Sequence, residues 1–239
     1  MTETFTPFSY QPAMVDHLAS NPRSALFVPP GKGKTVATLT ALDQLAICGR
    51  FKAALIVAPL RVCSITWPAQ VERWAHTNWM RVANLRTNEG MQAWLDGDAD
   101  IYLINSELLP NRLPQMFPPK SKHCPVDTII IDELSLAKNH ASKRFKALRK
   151  IIAKIPRRWG LTGTPVPNDY LDLFAQLRIL DDGDRLGTTI TSYKDRWFYS
   201  DYMGYKWTLN PGAKEDIDRR VASLALVMMG GDSDLPASS

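Results

Sequence analysis

Short apolar runs alternate with amphipathic segments along most of the chain. The runs predict strands at Ala25–Val28, Ala53–Ala58, Val82–Leu85, Asp100–Ile104, Thr128–Ile131 and Arg158–Leu161. Several of them are continuous instead of alternating, which is typical of strands that are covered on both faces. We therefore expect a sheet that lies inside the molecule.

Between these runs, apolar residues recur with helical spacing. One helix is predicted from the turn at Lys34–Thr35, and a second is predicted to start after Thr66 as its N-cap, with Pro68 in its first turn. The apolar stripe of a third helix consists of Phe145, Leu148, Ile151, Ile152 and Ile155. Alternating strands and helices indicate an α/β fold with a mostly parallel sheet and helices on both faces.

The pattern changes after Pro165. Helices are predicted at Tyr170–Leu180, Thr188–Phe198 and Lys214–Met229, and no strand of comparable quality is predicted there. We expect one domain over residues 1–229, of which 166–229 form a helical extension. The small, polar residues 230–239 are typical of a tail or the start of a linker.

Composition narrows the class of protein. The chain has 239 residues, of which 45% are hydrophobic and 22% are charged, as in ordinary globular proteins. The apolar runs are far shorter than the roughly 18 residues of a membrane span, and the first residues lack the basic start and apolar region of a secretory signal. Cys48, Cys63 and Cys124 are widely spaced, and His123–Cys124 is too sparse for a metal site. We expect a cytoplasmic protein with no membrane partner.

The net charge of +5 is unevenly distributed. Residues 1–180 carry 22 basic and 14 acidic side chains, whereas residues 181–239 carry 7 and 10. A basic body favours polyanionic partners. Residues 143–158 contain eight basic side chains and no acid, but the stripe of Phe145, Leu148 and Ile152 leaves those charges on the opposite face. We favour a solvated helix face there over a DNA track.

The segment Pro29–Thr35 lies between a predicted strand and a predicted helix, the context of a phosphate-binding loop. Gly31 and Gly33 allow backbone N–H groups to wrap around phosphate oxygens, and the helix N-terminus adds its positive end. Lys34 would reach the β- and γ-phosphates, and Thr35 would bind Mg²⁺. Val28 stands where the strict pattern has a glycine. A glycine-rich turn that merely starts a helix is the alternative interpretation.

Two further segments follow strands. An apolar strand that ends in Asp132 and Glu133 is typical of a site where the first acid holds Mg²⁺ and the second orients the attacking water. The alternative is a solvated strand end. After Trp159–Leu161 come the small residues Thr162, Gly163 and Thr164, which could sense the γ-phosphate or simply form a tight turn.

Together, and in this order, the three segments resemble superfamily-2 helicases and specifically the Swi/Snf-type DNA translocases. Further stretches are similar to that family's motifs: Phe8–Gln11, Gly31–Thr35, Ala58–Trp67 with Glu72–Trp74, Ile104–Glu107, Lys138–Asn139 and Leu161–Asn168. The stretch Leu180–Gly187 looks more like the compact bacteriophage members, which would imply a host cytoplasm.

The resemblance implies a RecA-like P-loop domain that uses ATP and Mg²⁺ and acts on duplex DNA. Gln11 would hydrogen-bond adenine, and Gly31, Lys32, Gly33, Lys34 and Thr35 would form the ATP site. Lys34, Asp132 and Glu133 would be catalytic, with Thr35 and Asp132 on the metal. Arg61 and Ser106 would contact DNA phosphates, and Thr162, Gly163 and Thr164 would couple the two sites.

The resemblance covers only the first of the two RecA-like domains that such proteins pair around ATP. The second supplies arginine fingers, so we expect weak ATP binding and little turnover from these residues alone. Ser135 also stands where the family usually has histidine. A helicase-like module that binds DNA or protein without ATP turnover is one alternative, which the intact Lys34 and Asp132 disfavour. A small-molecule P-loop kinase is another, which the Thr162–Pro165 string disfavours.

Overall fold

The computed structural model describes residues 2–118, 123–163, 170–203 and 206–228. Seven of the described strands form one parallel sheet, and two more form a separate antiparallel hairpin. The sheet strands are β1 (Arg23–Phe27), β2 (Ala54–Ala58), β3 (Val82–Asn84), β4 (Ile101–Asn105), β5 (Thr128–Asp132), β6 (Arg157–Thr162) and β9 (Ala225–Val227), and the hairpin strands are β7 (Phe198–Ser200) and β8 (Trp207–Leu209).

Helices connect the strands on both faces of the sheet. They are α1 (Gln11–Ser20), α2 (Lys34–Ile47), α3 (Trp67–Arg73), α4 (Asn88–Asp96), α5 (Leu109–Met116), α6 (Lys143–Ile152), α7 (Tyr170–Asp181), α8 (Ile190–Trp197) and α9 (Ala213–Ala222). A π-helical turn at Val62–Thr66 leads into α3, and a 3₁₀ turn at Leu134–Ala137 follows β5. None of the helices in the described ranges is long and apolar enough to cross a bilayer.

The sheet has the order β3-β4-β2-β5-β6-β1-β9 and separates two apolar cores. Along β2, Ala54, Ile56 and Ala58 face the core formed with α1, α2 and α3, whereas Leu55 and Val57 face the core formed with α4 to α9. Both sets are fully buried, as a strand covered on two faces requires. The predicted α/β fold with helices on both faces is confirmed.

The strand directions bring several loops to one edge. Because parallel strands all point the same way, the loops that follow them meet at the carboxyl edge of the sheet. β6 lies between β5 and β1, with Leu161 in register with Asp132 and Thr162 in register with Phe27. The end of β5, the end of β6 and the loop after β1 therefore lie side by side.

Most of the predicted elements before residue 165 are confirmed, with ends shifted by one or two residues. The N-cap predicted at Thr66 is wrong. Thr66 has helical backbone angles (φ −68°, ψ −53°) and its side chain caps no backbone N–H. The chain already winds helically from Val62, so Thr66 has a preceding turn and no free helix start to cap.

The prediction for the last quarter of the chain is wrong in part. The helical extension exists as α7, α8 and α9, but the single helix predicted at Lys214–Met229 ends at Ala222. Ala225–Val227 then adds strand β9 to the sheet, parallel to β1, and the hairpin of β7 and β8 is also unpredicted. A three-residue strand has little local signal, because pairing with a distant strand creates it. The predicted tail at 230–239 lies outside the described residues.

The first part of the basic segment forms α6, with the arrangement that a solvated face requires. The prediction is wrong for its end, because Arg157 and Arg158 lie on β6 and Arg158 is buried. Ser142 caps the helix by accepting a hydrogen bond from the Phe145 N–H at 3.1 Å. Phe145, Leu148, Ile151 and Ile152 are buried, whereas Lys143, Lys146, Arg149 and Lys150 are exposed.

Candidate active site

The loop after β1 has the backbone of an anion cradle. Gly31 (φ +78°) and Gly33 (φ +76°) both adopt the left-handed conformation, which glycine tolerates best. Gly33 is the N-cap of α2, and no described side chain caps the free N–H groups of this helix start. Those N–H groups and the positive end of the helix point out of the same loop, an arrangement that can bind phosphate oxygens.

Lys34 and Thr35 occupy the first turn of α2. The Lys34 ammonium donates hydrogen bonds to the carbonyl oxygens of Val28 (2.7 Å) and Pro29 (3.2 Å). Burial lowers the pKa of Lys34, although the negative charges of Asp132 and Glu133 act in the opposite direction. The structure therefore brings Lys34 into the same cleft as the acidic pair. The half-buried Thr35 follows it on the same turn.

Asp132 is the last residue of β5 and is held by an unexpected donor. The indole N–H of Trp67, a fully buried residue at the start of α3, donates to Asp132 Oδ2 at 2.9 Å. Burial raises the pKa of Asp132, while the Trp67 hydrogen bond and the Lys34 charge act to lower it. From the sequence, Trp67 was named only as the end of the motif-like stretch Ala58–Trp67, and its side chain was given no role at the site. The signal available was that a buried indole N–H needs an acceptor.

Glu133 lies next in sequence but faces a different way, because its backbone is left-handed (φ +80°, ψ +82°). Its N–H donates to the Leu161 carbonyl at 2.9 Å, and its carboxylate accepts a hydrogen bond from Thr162 Oγ1 at 3.1 Å. A non-glycine residue in this conformation stores backbone strain, which concentrates at functional sites. The turn thus links the second acid to the end of β6.

The turn after β6 contacts the loop after β1. A side-chain Cβ at Gly163 would lie 3.1 Å from Pro30 Cγ, so a residue larger than glycine would press on that loop. Thr162 and Gly163 therefore connect Glu133 with the loop after β1. Thr164 lies outside the described residues.

Gln11 closes the cradle from the N-terminal side. Its Oε1 accepts a hydrogen bond from the Phe8 N–H (2.9 Å), and its Nε2 donates to the Lys32 carbonyl (3.3 Å). The Tyr10 ring stacks on Phe8 with centroids 5.8 Å apart, and the Lys32 ammonium lies 5.5 Å from the Tyr10 centroid. The predicted base-reading segment is therefore part of the same site.

The two predicted DNA-contacting residues differ in accessibility. Arg61 is exposed at the start of the helical turn that follows β2. Ser106, after β4, is only 2% exposed, its N–H donates to the Ala58 carbonyl, and its hydroxyl donates to Glu107 Oε1. The hydrogen bonds from Asn105 and Ser106 and the charge of Arg144 lower the pKa of Glu107. The Ser106 side chain therefore offers no free donor to a phosphate in this arrangement.

Cys63 lies close to the acidic residues of the site. Burial, together with the negative charges of Asp132 and Glu107, raises its pKa to about 12. A thiol with this pKa stays protonated and is a poor nucleophile or metal ligand. In the described ranges, no group of three or more His, Cys, Asp or Glu side chains is arranged to hold a metal ion.

Comparison with known proteins identifies similar chains. A family model described as the SNF2-related domain matches residues 14–228. The chain is 35% identical over 215 residues to putative protein p41 of Acyrthosiphon pisum secondary endosymbiont phage 1, covering 86% of this chain and 46% of that protein. It is 25% identical over 201 residues to the human DNA repair and recombination protein RAD54B, covering 81% of this chain and 21% of that protein.

A solved structure agrees in fold. The Sulfolobus solfataricus SWI2/SNF2 ATPase core in complex with dsDNA superposes with a TM-score of 0.75 at 23% identity. The match covers 96% of this chain and 47% of the archaeal chain. The chain thus spans about half the length of the archaeal chain and of the phage protein, and about a fifth of RAD54B.

Proposed function

The chain belongs to the SNF2-related domain family, and from that premise we propose that it is the ATP-binding lobe of a DNA helicase or translocase. In this proposal it hydrolyses ATP with Mg²⁺ when a second RecA-like lobe completes the site. One observation carries the proposal: β5 and β1 flank β6 and end at the same edge of the sheet, where the charges of Asp132 and Glu133 act on the ammonium of Lys34.

The loop after β1 and the start of α2 can accommodate a nucleoside triphosphate. No atom lies within 4 Å of a Cβ position built on Gly31, so phosphate oxygens have room to approach the backbone there. The uncapped N–H groups of α2 would donate to those oxygens. Lys34 would exchange its two carbonyl partners for the β- and γ-phosphates, and Gln11 would bind the adenine.

The residues that would hold Mg²⁺ are Thr35 and Asp132. They fit, because Mg²⁺ prefers oxygen ligands and no described residue donates a hydrogen bond to Asp132 Oδ1. When bound, Mg²⁺ would neutralise charge on the phosphate oxygens. Asp132 must be ionised for this role; burial raises its pKa, and the Trp67 hydrogen bond and the Lys34 ammonium act against that shift.

Glu133 would orient the attacking water. Its carboxylate is held by the Thr162 hydroxyl, so its position depends on the turn after β6. Gly163 in that turn lies close to Pro30 in the loop after β1. Through this contact, Thr162–Thr164 would respond when the γ-phosphate is lost. An arginine finger from the second lobe would add about 10³–10⁵ in rate, as in related phosphoryl-transfer enzymes.

Duplex DNA is the proposed partner. The net positive charge of residues 1–180 supports it, as does the archaeal neighbour whose title includes dsDNA. Arg61 is the candidate for backbone contact because it is exposed at the carboxyl edge of the sheet, whereas Ser106 is buried. Phosphate contacts of this kind position the protein on DNA without reading its sequence.

The test is phosphate release with and without duplex DNA, compared with Lys34→Ala. We expect slow ATP turnover by this chain in the absence of a second lobe, and Lys34→Ala should abolish it. The unsubstituted chain should bind nucleotide with an affinity that depends on Mg²⁺. Absence of that affinity would favour a binding module without ATP turnover. Robust DNA-stimulated hydrolysis by these residues alone would contradict the need for a second lobe.

Fluorescence anisotropy with a labelled duplex tests the DNA partner separately. Arg61→Ala should weaken binding and reduce the slope of log affinity against log salt by about one, because one phosphate contact is lost. Lys146→Ala, on the exposed face of α6, should leave the slope unchanged. Equal effects of the two substitutions would contradict the solvated-face interpretation of α6.

A further inference from the structure

Three tryptophans of the sheet domain are fully buried, and one of these three donates its indole N–H to a carboxylate. Trp94 and Trp159 donate their indole N–H groups to the backbone carbonyls of Met116 (3.0 Å) and Asn21 (3.1 Å). Trp67 donates to the carboxylate of Asp132 instead, at 2.9 Å. A hydrogen bond to an ionised acceptor is roughly twice as strong as one between neutral groups. It is also directional, so it restricts the rotation of the carboxylate.

The backbone before Trp67 supports a specific placement of this indole. The five residues Val62–Thr66 form a π-helical turn, and α3 begins directly after it. A π turn contains an extra residue, and each residue rotates the side chains of a helix by about 100°. With an ordinary α turn in its place, the Trp67 side chain would point away from the end of β5. Such turns are uncommon and occur frequently at functional sites.

We infer that Trp67 is a positioning residue of the nucleotide site, which aims the Asp132 carboxylate into the cleft through its indole N–H. This inference rests on the proposed function. With Oδ2 held by Trp67, Oδ1 is the oxygen that remains available to a hydrated cation. Trp67 itself touches neither nucleotide nor metal, because it is fully buried behind the carboxylate.

The inference predicts a loss that is specific to Mg²⁺. Trp67→Phe removes the donor and keeps an aromatic ring, so Asp132 is free to rotate. Replacing a residue that orients a metal ligand typically weakens metal binding about 10- to 100-fold. We expect an increase of about 10- to 100-fold in the Mg²⁺ concentration that half-saturates nucleotide binding, whereas nucleotide affinity in EDTA stays unchanged.

Trp94→Phe is the matched control, because it removes an equally buried indole whose acceptor is a backbone carbonyl far along the chain. The probe is a fluorescent ADP analogue, titrated with Mg²⁺ and in EDTA, and thermal melting of both variants measures the cost to folding. Equal Mg²⁺ dependence in Trp67→Phe and the unsubstituted chain would overturn the inference. So would an equal loss in Trp94→Phe.

A second pair of variants covers the case in which Trp67→Phe does not fold. Trp67→His keeps an N–H donor and Trp67→Leu does not, while both leave a smaller side chain and share the packing penalty. A lower half-saturating Mg²⁺ concentration in Trp67→His than in Trp67→Leu supports the inference. Equal half-saturating concentrations in the two variants overturn it. If the unsubstituted chain binds the analogue with no Mg²⁺ dependence, the proposed function itself fails, which is a distinguishable result.

Discussion

At the scale of single residues, neighbours in sequence acquire different properties because the backbone turns between them. Asp132 ends β5 as a half-buried residue, and partial burial raises its pKa. Glu133 has a left-handed backbone and reaches the Thr162 hydroxyl on the next strand. The two acids therefore have different hydrogen-bond partners, although they are neighbours in sequence.

Gly33→Ala tests how closely the Gln11 side chain packs against the backbone of Gly33. The new Cβ would lie 2.3 Å from Gln11 Nε2 on a backbone with φ +76°. The left-handed conformation costs about 1–2 kcal/mol for alanine. Displacing the Gln11 amide from the Lys32 carbonyl costs about 1 kcal/mol more. Urea unfolding should show both losses.

Gly49→Ala is the control for this substitution, because Gly49 has φ +65° and nothing within 4 Å of its Cβ position. It should show the backbone loss alone, on the order of 1–2 kcal/mol. Equal losses at the two positions would show that the Gln11 contact contributes nothing.

At the scale of elements, helix starts depend on where the backbone first becomes helical. Ser142 and Thr66 both have the residue type of a good N-cap. Ser142 has an extended backbone (ψ 150°) and caps α6, whereas Thr66 continues a helical path that started earlier. The capping rule therefore holds only where a free helix start exists.

Ser142→Ala and Thr66→Ala should consequently differ. Removing the Ser142 hydroxyl, which accepts from the Phe145 N–H, should lower the free energy of unfolding by about 1 kcal/mol. Thr66→Ala removes an exposed side chain without a capping bond and should change stability little. Chemical denaturation of the two variants measures this, and a larger loss at Thr66 would contradict it.

The contact between α8 and α9 should depend on pH through Asp216. Hydrogen bonds from the Trp197 indole (2.9 Å) and the Arg220 guanidinium (3.0 Å), together with one from Arg219, lower the pKa of Asp216 to about 2. Because this pKa lies below the value of about 3.9 for an unfolded aspartate, the ionised group stabilises the fold above about pH 4. That contribution is lost as the pH falls towards 2.

Asp216→Asn should therefore be less stable than the unsubstituted chain at pH 7, with the difference shrinking below about pH 4. Urea unfolding across this range measures the effect. Asp195→Asn, at an exposed position on α8 with no ion pair among the described residues, should show no such trend. A difference at Asp216 that persists unchanged at the lowest pH would contradict the assignment.

At the scale of the whole molecule, the two ends of the described chain meet in one sheet. β1 lies near the start of the sequence and β9 near the end of the described residues. The two strands pair in parallel, with Leu226 opposite Leu26. His17 on α1 also forms a hydrogen bond with the Leu224 carbonyl at 3.1 Å. The C-terminal segment is therefore part of the same sheet as the phosphate loop.

Leu226→Pro tests that integration. Proline cannot donate to the ladder with β1, and an unmade buried hydrogen bond costs about 1–3 kcal/mol. Thermal melting should show a clear decrease for Leu226→Pro. A smaller effect is expected for Thr208→Pro, because Thr208 is exposed in the separate hairpin. Equal effects would contradict the view that β9 stabilises the main sheet.

The sequence by itself determined the features that depend on local chemistry. Short apolar runs identified six of the seven strands of the sheet, and the continuous ones, such as Ile129–Ile131, are typical of burial on both faces. Gly31, Gly33 and Lys34 identified the loop after β1, since left-handed turns select glycine. The shared cleft of Lys34 and Asp132 followed from the rule that parallel strands end at one edge.

Only the tertiary structure decided the features that arise between distant residues. β9 is a strand because β1 offers it a free edge, and no pattern in three residues encodes that edge. Trp67 became the partner of Asp132 because the π-helical turn directs its indole towards β5. Ser106 can be buried because its N–H donates a hydrogen bond to the Ala58 carbonyl and its hydroxyl donates one to Glu107. Hydrogen bonds and strand pairing between residues distant in sequence stabilise these features, whereas residue type alone reveals only which groups need a partner.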